Sequence, residues 1–313
     1  MIDWHTGRGS GKKRVCRNYD LAFIGHFTKD TIIRPGSTSV NMGGAWNFGC
    51  HVAAALGLKA LVVTRLAHED MAVVEAARRA GVEVQAIETP QSTCLRLVYP
   101  GDNPDERTLY VDSSAGPFTP QDVESATRQA GTFLIGASLR GEVSLAVVEK
   151  LARNGGRVSL DLQGYLRVER DHLLVHEAWP EAPQYLRLAT FLKADIVEAT
   201  ALTGETDVLA AARALAAFGP QEVVITSKDG VAALVSGELF QQPWRAQSLA
   251  GRSGRGDTCM SAYVGKRLSA NPAEAVLWAA ALTSLKMETP GPFMGTIGDV
   301  QEAIETRYGR AVG

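Results

Sequence analysis

The sequence lacks the features that would place it in a membrane or build it around a metal. Over 313 residues, no apolar run reaches the roughly 18 residues that a membrane span requires. Cysteine is scarce, and no two cysteines have the C-x-x-C spacing of a zinc site. Scattered thiols in a chain of this length are typical of reduced cysteines, so we predict a cytoplasmic protein without membrane contact. The cysteines are Cys16, Cys50, Cys94 and Cys259.

An excess of charge of one sign is also missing. Lys and Arg number 32 against 34 Asp and Glu, which gives a formal net charge of -2. The chain therefore has no electrostatic reason to bind nucleic acid or an acidic membrane surface. The first 20 residues are polar and basic without an apolar segment, a pattern unlike a secretory signal. We predict a flexible extension over residues 1–19 and a single domain over 20–313.

Strand and helix patterns alternate through most of the chain. Short apolar runs at 21–25, 191–197 and 222–225 are typical of buried strands, and alanine-rich helical stretches lie between such runs. This alternation favours an α/β fold with a mostly parallel sheet covered by helices on both faces. Two extended stretches, near 31–47 and 91–111, interrupt the pattern. We expect them to pair into a small β lid over one edge of the main sheet.

The most informative stretch is G-R-S-G-R-G-D-T-C at 251–259. Gly254 and Gly256 remove side chains from a turn that leads into a predicted helix, where unpaired backbone N–H groups form a site for phosphate oxygens. Arg252 and Arg255 add positive charge. Asp257 could deprotonate a substrate hydroxyl, or it could simply cap an ordinary helix. The stretch is neither a Walker A loop nor a Rossmann G-x-G-x-x-G.

This stretch resembles the second signature of the ribokinase-like (PfkB) carbohydrate kinases, D-T-x-G-A-G-D. The resemblance implies a three-layer α/β/α fold with a β lid. It also makes Asp257 the catalytic base and Gly254, Arg255 and Gly256 the backbone anion hole. Arg255 stands where the family usually has alanine. The altered form G-R-[ST]-G-R-G-D-T-C is similar to that of myo-inositol kinase-like members.

Two more stretches resemble family motifs that bind the sugar. Gly43, Gly44 and Asn47 are similar to the family's first signature, G-G-x-x-x-N, with the asparagine one position early. There the glycines allow close backbone approach to the sugar, and the asparagine binds a hydroxyl. Asp30 follows the first strand, where the family has a carboxylate that accepts hydrogen bonds from substrate hydroxyls. A glycine turn before a core helix and a solvated loop acid are the alternatives.

Further matches concern the donor and its metal. Asp195 and Glu198 resemble the family's N-x-x-E motif, in which the glutamate orients Mg²⁺ largely through water; a solvated helix face is the alternative. Thr226 and Ser227 occupy the place of the family's nucleotide contact, without its usual internal glycine. Polar residues after a central strand also face the binding crevice by topology: Asp161, Gln163 and Arg167.

Together these matches predict a Mg²⁺- and ATP-dependent kinase that phosphorylates a hydroxyl of a small sugar or polyol. Three alternatives stay open: a nucleoside kinase of the same family, a dinucleotide-dependent oxidoreductase, and a catalytically silent nucleotide-binding protein of the same fold. The order of motifs argues against the oxidoreductase, because its glycine-rich turn belongs near the first strand. The family resemblance also implies a homodimer that pairs through the lid.

Overall fold

The structure is a computed structural model that describes residues 17–101 and 106–310. The predicted extension therefore lies almost wholly outside the described residues. Among the described residues, no helix has the length and apolar character needed to cross a bilayer. The cytoplasmic location stays a prediction.

The described elements alternate between strands and helices along most of the chain. The strands are β1 Leu21–Ile24, β2 Thr28–Arg34, β3 Ser37–Gly43, β4 Ala60–Ala67, β5 Glu83–Thr89, β6 Thr93–Val98, β7 Thr108–Ser113, β8 Thr132–Ile135, β9 Arg157–Asp161, β10 Arg167–Arg170, β11 Leu173–His176, β12 Phe191–Asp195, β13 Glu222–Thr226, β14 Gly230–Val235 and β15 Glu238–Pro243. The helices are α1 Ala45–Ala55, α2 Ala72–Arg79, α3 Glu124–Gln129, α4 Leu145–Ala152, α5 Gln163–Leu166, α6 Ala182–Leu186, α7 Ile196–Thr203, α8 Val208–Ala216, α9 Arg255–Lys266, α10 Pro272–Met287 and α11 Ile297–Tyr308.

The main sheet has nine strands in the order β15-β14-β13-β12-β9-β8-β1-β4-β5. The pairs from β13 to β5 are parallel, and only β14 and β15 at one edge are antiparallel. Side chains alternate between the two faces of a strand, so Leu21 and Phe23 pack with the helices of one layer and Ala22 and Ile24 with those of the other. This confirms the predicted α/β architecture with a mostly parallel central sheet.

The lid is a second sheet of six strands in the order β10-β11-β7-β6-β2-β3. Its strands β2, β3, β6 and β7 overlap the two predicted stretches, although residues 45–47 belong to α1 and residues 102–105 lie outside the described residues. The sheet is also larger than predicted, because a hairpin at 167–176 adds β10 and β11. The first lid strand, β2, follows β1 closely in sequence, so the lid grows directly out of the main sheet. Its edge strand β3 leaves Val40 53% and Met42 51% exposed. The dimer through the lid stays a prediction.

The parallel strands end together at one edge of the main sheet, next to the lid. Asp161 is the last residue of β9, and it lies opposite Lys193 of β12 in the strand register. Asp195 ends β12 opposite Thr226, which ends β13. Carboxyl ends of parallel strands bound the binding crevice of such sheets. The fold therefore gathers the predicted polar residues along this edge.

Candidate active site

The turn before α9 has the geometry of an anion site. Gly254 has a φ of 77°, in the left-handed region that favours glycine, and a Cβ there would lie 2.3 Å from the ring of Phe48. The backbone N–H groups of Gly254, Gly256 and Asp257 donate no hydrogen bond to any described residue. The N–H of Arg255 instead makes a long turn bond of 3.3 Å to the carbonyl of Arg252. Three amides at the start of a 12-residue helix are thus available to phosphate oxygens.

Asp257 lies beside these amides as the third residue of α9. Its side chain makes no hydrogen bond to a described residue, so it does not cap the helix. Burial raises the pKa of Asp257, and the positive charges of Lys193 and Arg167 oppose that rise. A carboxylate with a raised pKa and no structural bond suits a general base that takes a hydroxyl proton.

Lys193 places an ammonium directly behind the turn. A Cβ on Gly256 would lie 2.9 Å from its Nζ. The Nζ is 3.1 Å from Asp161 and 3.6 Å from Glu198, and all three side chains are almost fully buried. Although burial alone would lower the pKa of Lys193, the two carboxylates raise it on balance, so the lysine stays charged. We did not single out Lys193 from the sequence; a lone lysine inside an apolar strand was the available signal.

Asp195 and Glu198 form the capping box of α7. The carboxylate of Asp195 accepts the N–H of Glu198 at 2.8 Å, and Oε2 of Glu198 accepts the N–H of Asp195 at 2.8 Å. Over residues 17–101 and 106–310, no group of three or more His, Cys, Asp or Glu side chains could hold a metal. Glu198 still offers Oε1, which fits an outer contact through water to Mg²⁺ carried by donor phosphates.

Thr226 is the last residue of β13, and Ser227 begins the connection to β14. Thr226 is 1% exposed. The hydroxyl of Ser227 accepts the N–H groups of Asp229 and Gly230 at 3.1 and 3.3 Å, so it mainly holds its own turn. Trp244 donates its indole N–H to the carbonyl of Ser227 at 2.9 Å. The guanidinium of Arg255 lies 5.9 Å from the Trp244 ring, which brings positive charge between α9 and this turn.

The lid contributes Asp30, and the chain from its edge strand β3 continues through Gly43 and Gly44 into α1 and Asn47. Asp30, on β2, has a buried Oδ1 without a hydrogen-bond partner among the described residues, and burial raises its pKa. A Cβ on Gly43 would lie 3.0 Å from Oδ2 of Asp30, and a Cβ on Gly44, whose φ is 96°, only 2.5 Å from the carbonyl of His26. Gly43 therefore allows the close approach of β2 and β3, and Gly44 allows the chain before α1 to pass close to the residues that precede β2. Asn47 is buried in α1 and donates its amide to the carbonyl of Met42 at 3.2 Å.

Arg167, the first residue of lid strand β10, acts by its charge on both the lid and the start of α9. Its guanidinium makes no hydrogen bond to a described residue. Burial lowers its pKa. Its charge acts on Asp30 of the lid and on Asp257 at the start of α9. A guanidinium has five N–H donors, and here, in a partly buried side chain, none of them has a described acceptor. It is therefore available to bind an anion between the lid and the start of α9.

The site thus combines unpaired amides, the carboxylate of Asp257 and the positive charges of Lys193, Arg167 and Arg255 at one sheet edge. Comparison with known proteins gives this arrangement a context. The profile of the pfkB family carbohydrate kinases matches residues 16–293. Comparison with curated proteins finds no match.

Several solved structures are similar over nearly the whole chain. A pyrophosphate-dependent kinase in the ribokinase family, complexed with a pyrophosphate analog and myo-inositol, is 31% identical with a TM-score of 0.81, covering 87% of this chain and 97% of that one. A sulfate complex of a pyrophosphate-dependent kinase in the same family is 33% identical with a TM-score of 0.83, covering 91% and 100%. Ribokinase of Arabidopsis thaliana, complexed with ribose and ATP, is 19% identical with a TM-score of 0.74, covering 92% and 99%, and shares the fold.

Proposed function

This chain belongs to the pfkB family of carbohydrate kinases, and from that premise we propose that it moves a phosphoryl group from inorganic pyrophosphate to a hydroxyl of a small cyclic polyol such as myo-inositol. The observation that carries the phosphoryl transfer is the start of α9. There, the unpaired amides of Gly254, Gly256 and Asp257 adjoin the carboxylate of Asp257, which has no structural bond.

The proposed reaction is a direct in-line displacement. The acceptor oxygen forms a bond to phosphorus, the anhydride P–O bond breaks, orthophosphate leaves, and the hydroxyl proton passes to Asp257. The three amides and the ammonium of Lys193 stabilise the negative charge on the transferring group, where a single well-placed donor is worth about 2.7–4 kcal/mol. Bound Mg²⁺, carried by the donor and contacted by Glu198 through water, would neutralise further phosphate charge.

The choice of donor rests on charge and on the relatives. Pyrophosphate has no base or ribose, so its binding energy comes almost entirely from contacts with its phosphate oxygens. Lys193, Arg167 and Arg255 supply positive charge around the turn, and Arg255 stands where the family resemblance predicts alanine. Two similar structures, at 31% and 33% identity, are of pyrophosphate-dependent kinases. ATP, which the family resemblance predicts, is the second candidate donor.

A donor assay separates the two candidates. We expect myo-inositol phosphate, detected by ³¹P NMR, to form with Mg²⁺ and pyrophosphate at a kcat/KM at least tenfold above that with ATP. The variant Arg255→Ala, which restores the family's alanine, should raise the KM for pyrophosphate at least tenfold without impairing any turnover with ATP. Arg213→Ala, on the exposed face of α8, is the matched control. A preference for ATP in the unmodified enzyme would reassign the donor.

The acceptor is proposed from the chemistry of Asp30. An ionised carboxylate only accepts hydrogen bonds, and its two oxygens can take the two hydroxyls of a vicinal diol. Cyclic polyols, furanose sugars and nucleosides all carry such a diol, so an acceptor screen with inositols, pentoses, hexoses and nucleosides decides among them. We expect an inositol to give the highest kcat/KM. Failure of every acceptor with both donors would favour a catalytically silent binding protein.

A further inference from the structure

Lys286 is a buried cation that the proposed reaction does not use directly. It is the next-to-last residue of α10 and is 0% exposed. Its ammonium donates hydrogen bonds to the backbone carbonyls of Gly251 and Ser253, in the turn that precedes α9. The ring of Phe48 lies 5.2 Å from the Nζ and covers another side. The ammonium is therefore enclosed by the turn that carries the anion site.

The partners of this ammonium are unusual for a buried lysine. Buried lysines normally pair with a carboxylate, because an isolated charge is costly in an apolar interior. Among the described residues, no carboxylate forms an ion pair with Lys286; its direct contacts are neutral carbonyl oxygens and an aromatic face. Burial lowers the pKa of Lys286 to about 8, and the charge of Asp257 opposes that shift without a direct contact. Carbonyl oxygens in such an arrangement can replace the hydration shell of a monovalent cation such as K⁺. The environment is thus that of a monovalent cation site filled by a side chain.

The hydrogen bond to Ser253 also determines where the Gly254 amide points. In a trans peptide, the N–H of one residue points opposite to the C=O of the residue before it. Since the Ser253 carbonyl is directed at Lys286, the N–H of Gly254 is directed away from the ammonium.

A second contact clamps the same turn to the end of α10. The N–H of Gly251 donates to the carbonyl of Met287 at 2.8 Å, and a Cβ at 251 would lie 1.8 Å from the carbonyl of Thr289. Carbonyls at a helix C-terminus favour positive charge nearby, which adds to the retention of the Lys286 ammonium. The turn before α9 is thus held by the side chain of Lys286 and by the C-terminal end of α10.

We propose that Lys286 is a built-in monovalent cation that sets the anion site: it holds the carbonyls of Gly251 and Ser253 so that the Gly254 amide faces the phosphoryl group. Lys286 is a positioning residue. Its effect on catalysis rests on the proposed function, whereas its effect on the conformation of the turn is independent of that function. Because the ammonium is covalently supplied, the enzyme should be indifferent to the monovalent ion in the buffer.

Two substitutions separate positioning from simple core stability. Lys286→Ala removes the ammonium and opens space for an ion, whereas Lys286→Met fills nearly the same volume without charge. We expect each to lower kcat about a hundredfold, as loss of an anion-site donor does. Added K⁺ or NH₄⁺ should restore at least a tenth of the lost activity to the alanine variant and none to the methionine variant. Lys266→Met, which removes a lysine from α9 near Trp278, is the matched control.

A readout without turnover keeps this inference independent of the donor and acceptor. The Tm of Lys286→Ala should rise by several degrees with K⁺ or NH₄⁺ relative to tetramethylammonium, while the Tm of Lys286→Met and of the unmodified protein should not. If the Tm of Lys286→Ala rises with these ions but no acceptor is phosphorylated, the proposed function is rejected, while the role of the Lys286 ammonium in holding the turn is supported.

Two results overturn the inference. One is an equal response of the alanine and methionine variants to every ion. The other is a requirement of the unmodified enzyme for K⁺, and this measurement remains decisive if neither variant folds.

Discussion

Asp257 and Asp299 occupy the same position, the third residue, of helices α9 and α11, but only Asp299 closes a capping box. Its carboxylate accepts the N–H of Thr296 at 2.6 Å, whereas Asp257 bonds to no described residue. The two are thus matched in local sequence position but differ in their bonds: Asp299 stabilises its helix, whereas the carboxylate of Asp257 has no structural bond to a described residue, as its proposed role requires.

Substitution of Asp257 should strongly reduce turnover and leave the fold intact. We expect Asp257→Asn to lower kcat at least about a hundredfold, since a positioned base contributes about 10²–10⁴. Donor affinity, measured by calorimetry, should change less than threefold because the anion-site amides remain. Asp299→Asn should show the reverse, a lower Tm with normal kcat. Near-normal turnover of Asp257→Asn would remove this residue from the role of base.

The pH dependence of kcat/KM should report the ionisation of Asp257. Burial raises the pKa of this carboxyl above its usual range, and activity requires the ionised form, so activity is present above that pKa and is lost as the pH falls through it. Arg167 lowers the same pKa. Arg167→Met should therefore move the acidic limb of the pH profile to higher pH.

The control for this shift lies on the same strand. Arg170→Met removes a guanidinium that pairs with Glu177 at the lid surface and should leave the limb in place. A limb that stays unmoved in Arg167→Met, or moves to lower pH, would contradict the placement of Arg167 next to the base.

The close contact behind Gly256 predicts an intolerance to any side chain there. In Gly256→Ala, the new Cβ would meet the Nζ and Cε of Lys193 at 2.9 and 3.0 Å and displace the ammonium from the turn. We expect kcat/KM to fall about tenfold or more. Gly298→Ala, at the equivalent second position of α11, has room for a Cβ at 3.5 Å from its nearest neighbour and should be silent. Full activity of Gly256→Ala would mean that Lys193 does not act through the turn.

Asp30 should affect acceptor binding more than donor binding. Asp30→Asn replaces one acceptor oxygen with a donor group and leaves a polyol hydroxyl mispaired, which we expect to raise the KM for the acceptor at least about tenfold. Donor affinity should stay unchanged. Asp112→Asn, on the exposed side of lid strand β7, provides the matched lid variant. Equal effects on the two substrates would place Asp30 outside the acceptor side.

The sequence predicted the parallel strands and the α9 turn well, for a physical reason. A strand such as Leu21–Ile24 is buried on both faces, so its residues form an uninterrupted apolar run that is easily recognised. The α9 turn can be recognised from its glycines. At position 254, only a glycine can adopt the positive φ and also pack against the ring of Phe48 without a clash. Such features can be predicted from sequence because the residues that determine them are only a few positions apart in the chain.

Other features depended on contacts between distant parts of the chain. The predicted strand at 191–197 ends at Asp195, because the capping box with Glu198 starts a helix whose first residues, Ile196 and Val197, continue the apolar run. The spacing D-x-x-E was the signal that could have found this boundary. The lid hairpin at 167–176 has short, mixed strands without a clear alternation.

The cations of the site were the hardest residues to find. Lys193 and Lys286 lie in apolar stretches where a lysine is usually read as a surface residue. Their partners, Asp161 and the carbonyl of Ser253, are more than 30 positions away in the chain. For both lysines, the local sequence offered one signal: a single charged residue inside an otherwise apolar strand or helix.

The location of Asp30 on a lid strand and of Asp257 on helix α9 has a consequence for how the energy of the phosphoryl donor would be conserved in the proposed reaction. One carboxylate belongs to the lid and the other to α9, so in the proposed reaction a molecule with several hydroxyls could contact both, whereas a lone water could not. An acceptor of the right length would therefore engage both carboxylates at once as it binds. Hydrolysis of the phosphoryl donor by water should therefore be slow when no polyhydroxy acceptor is bound.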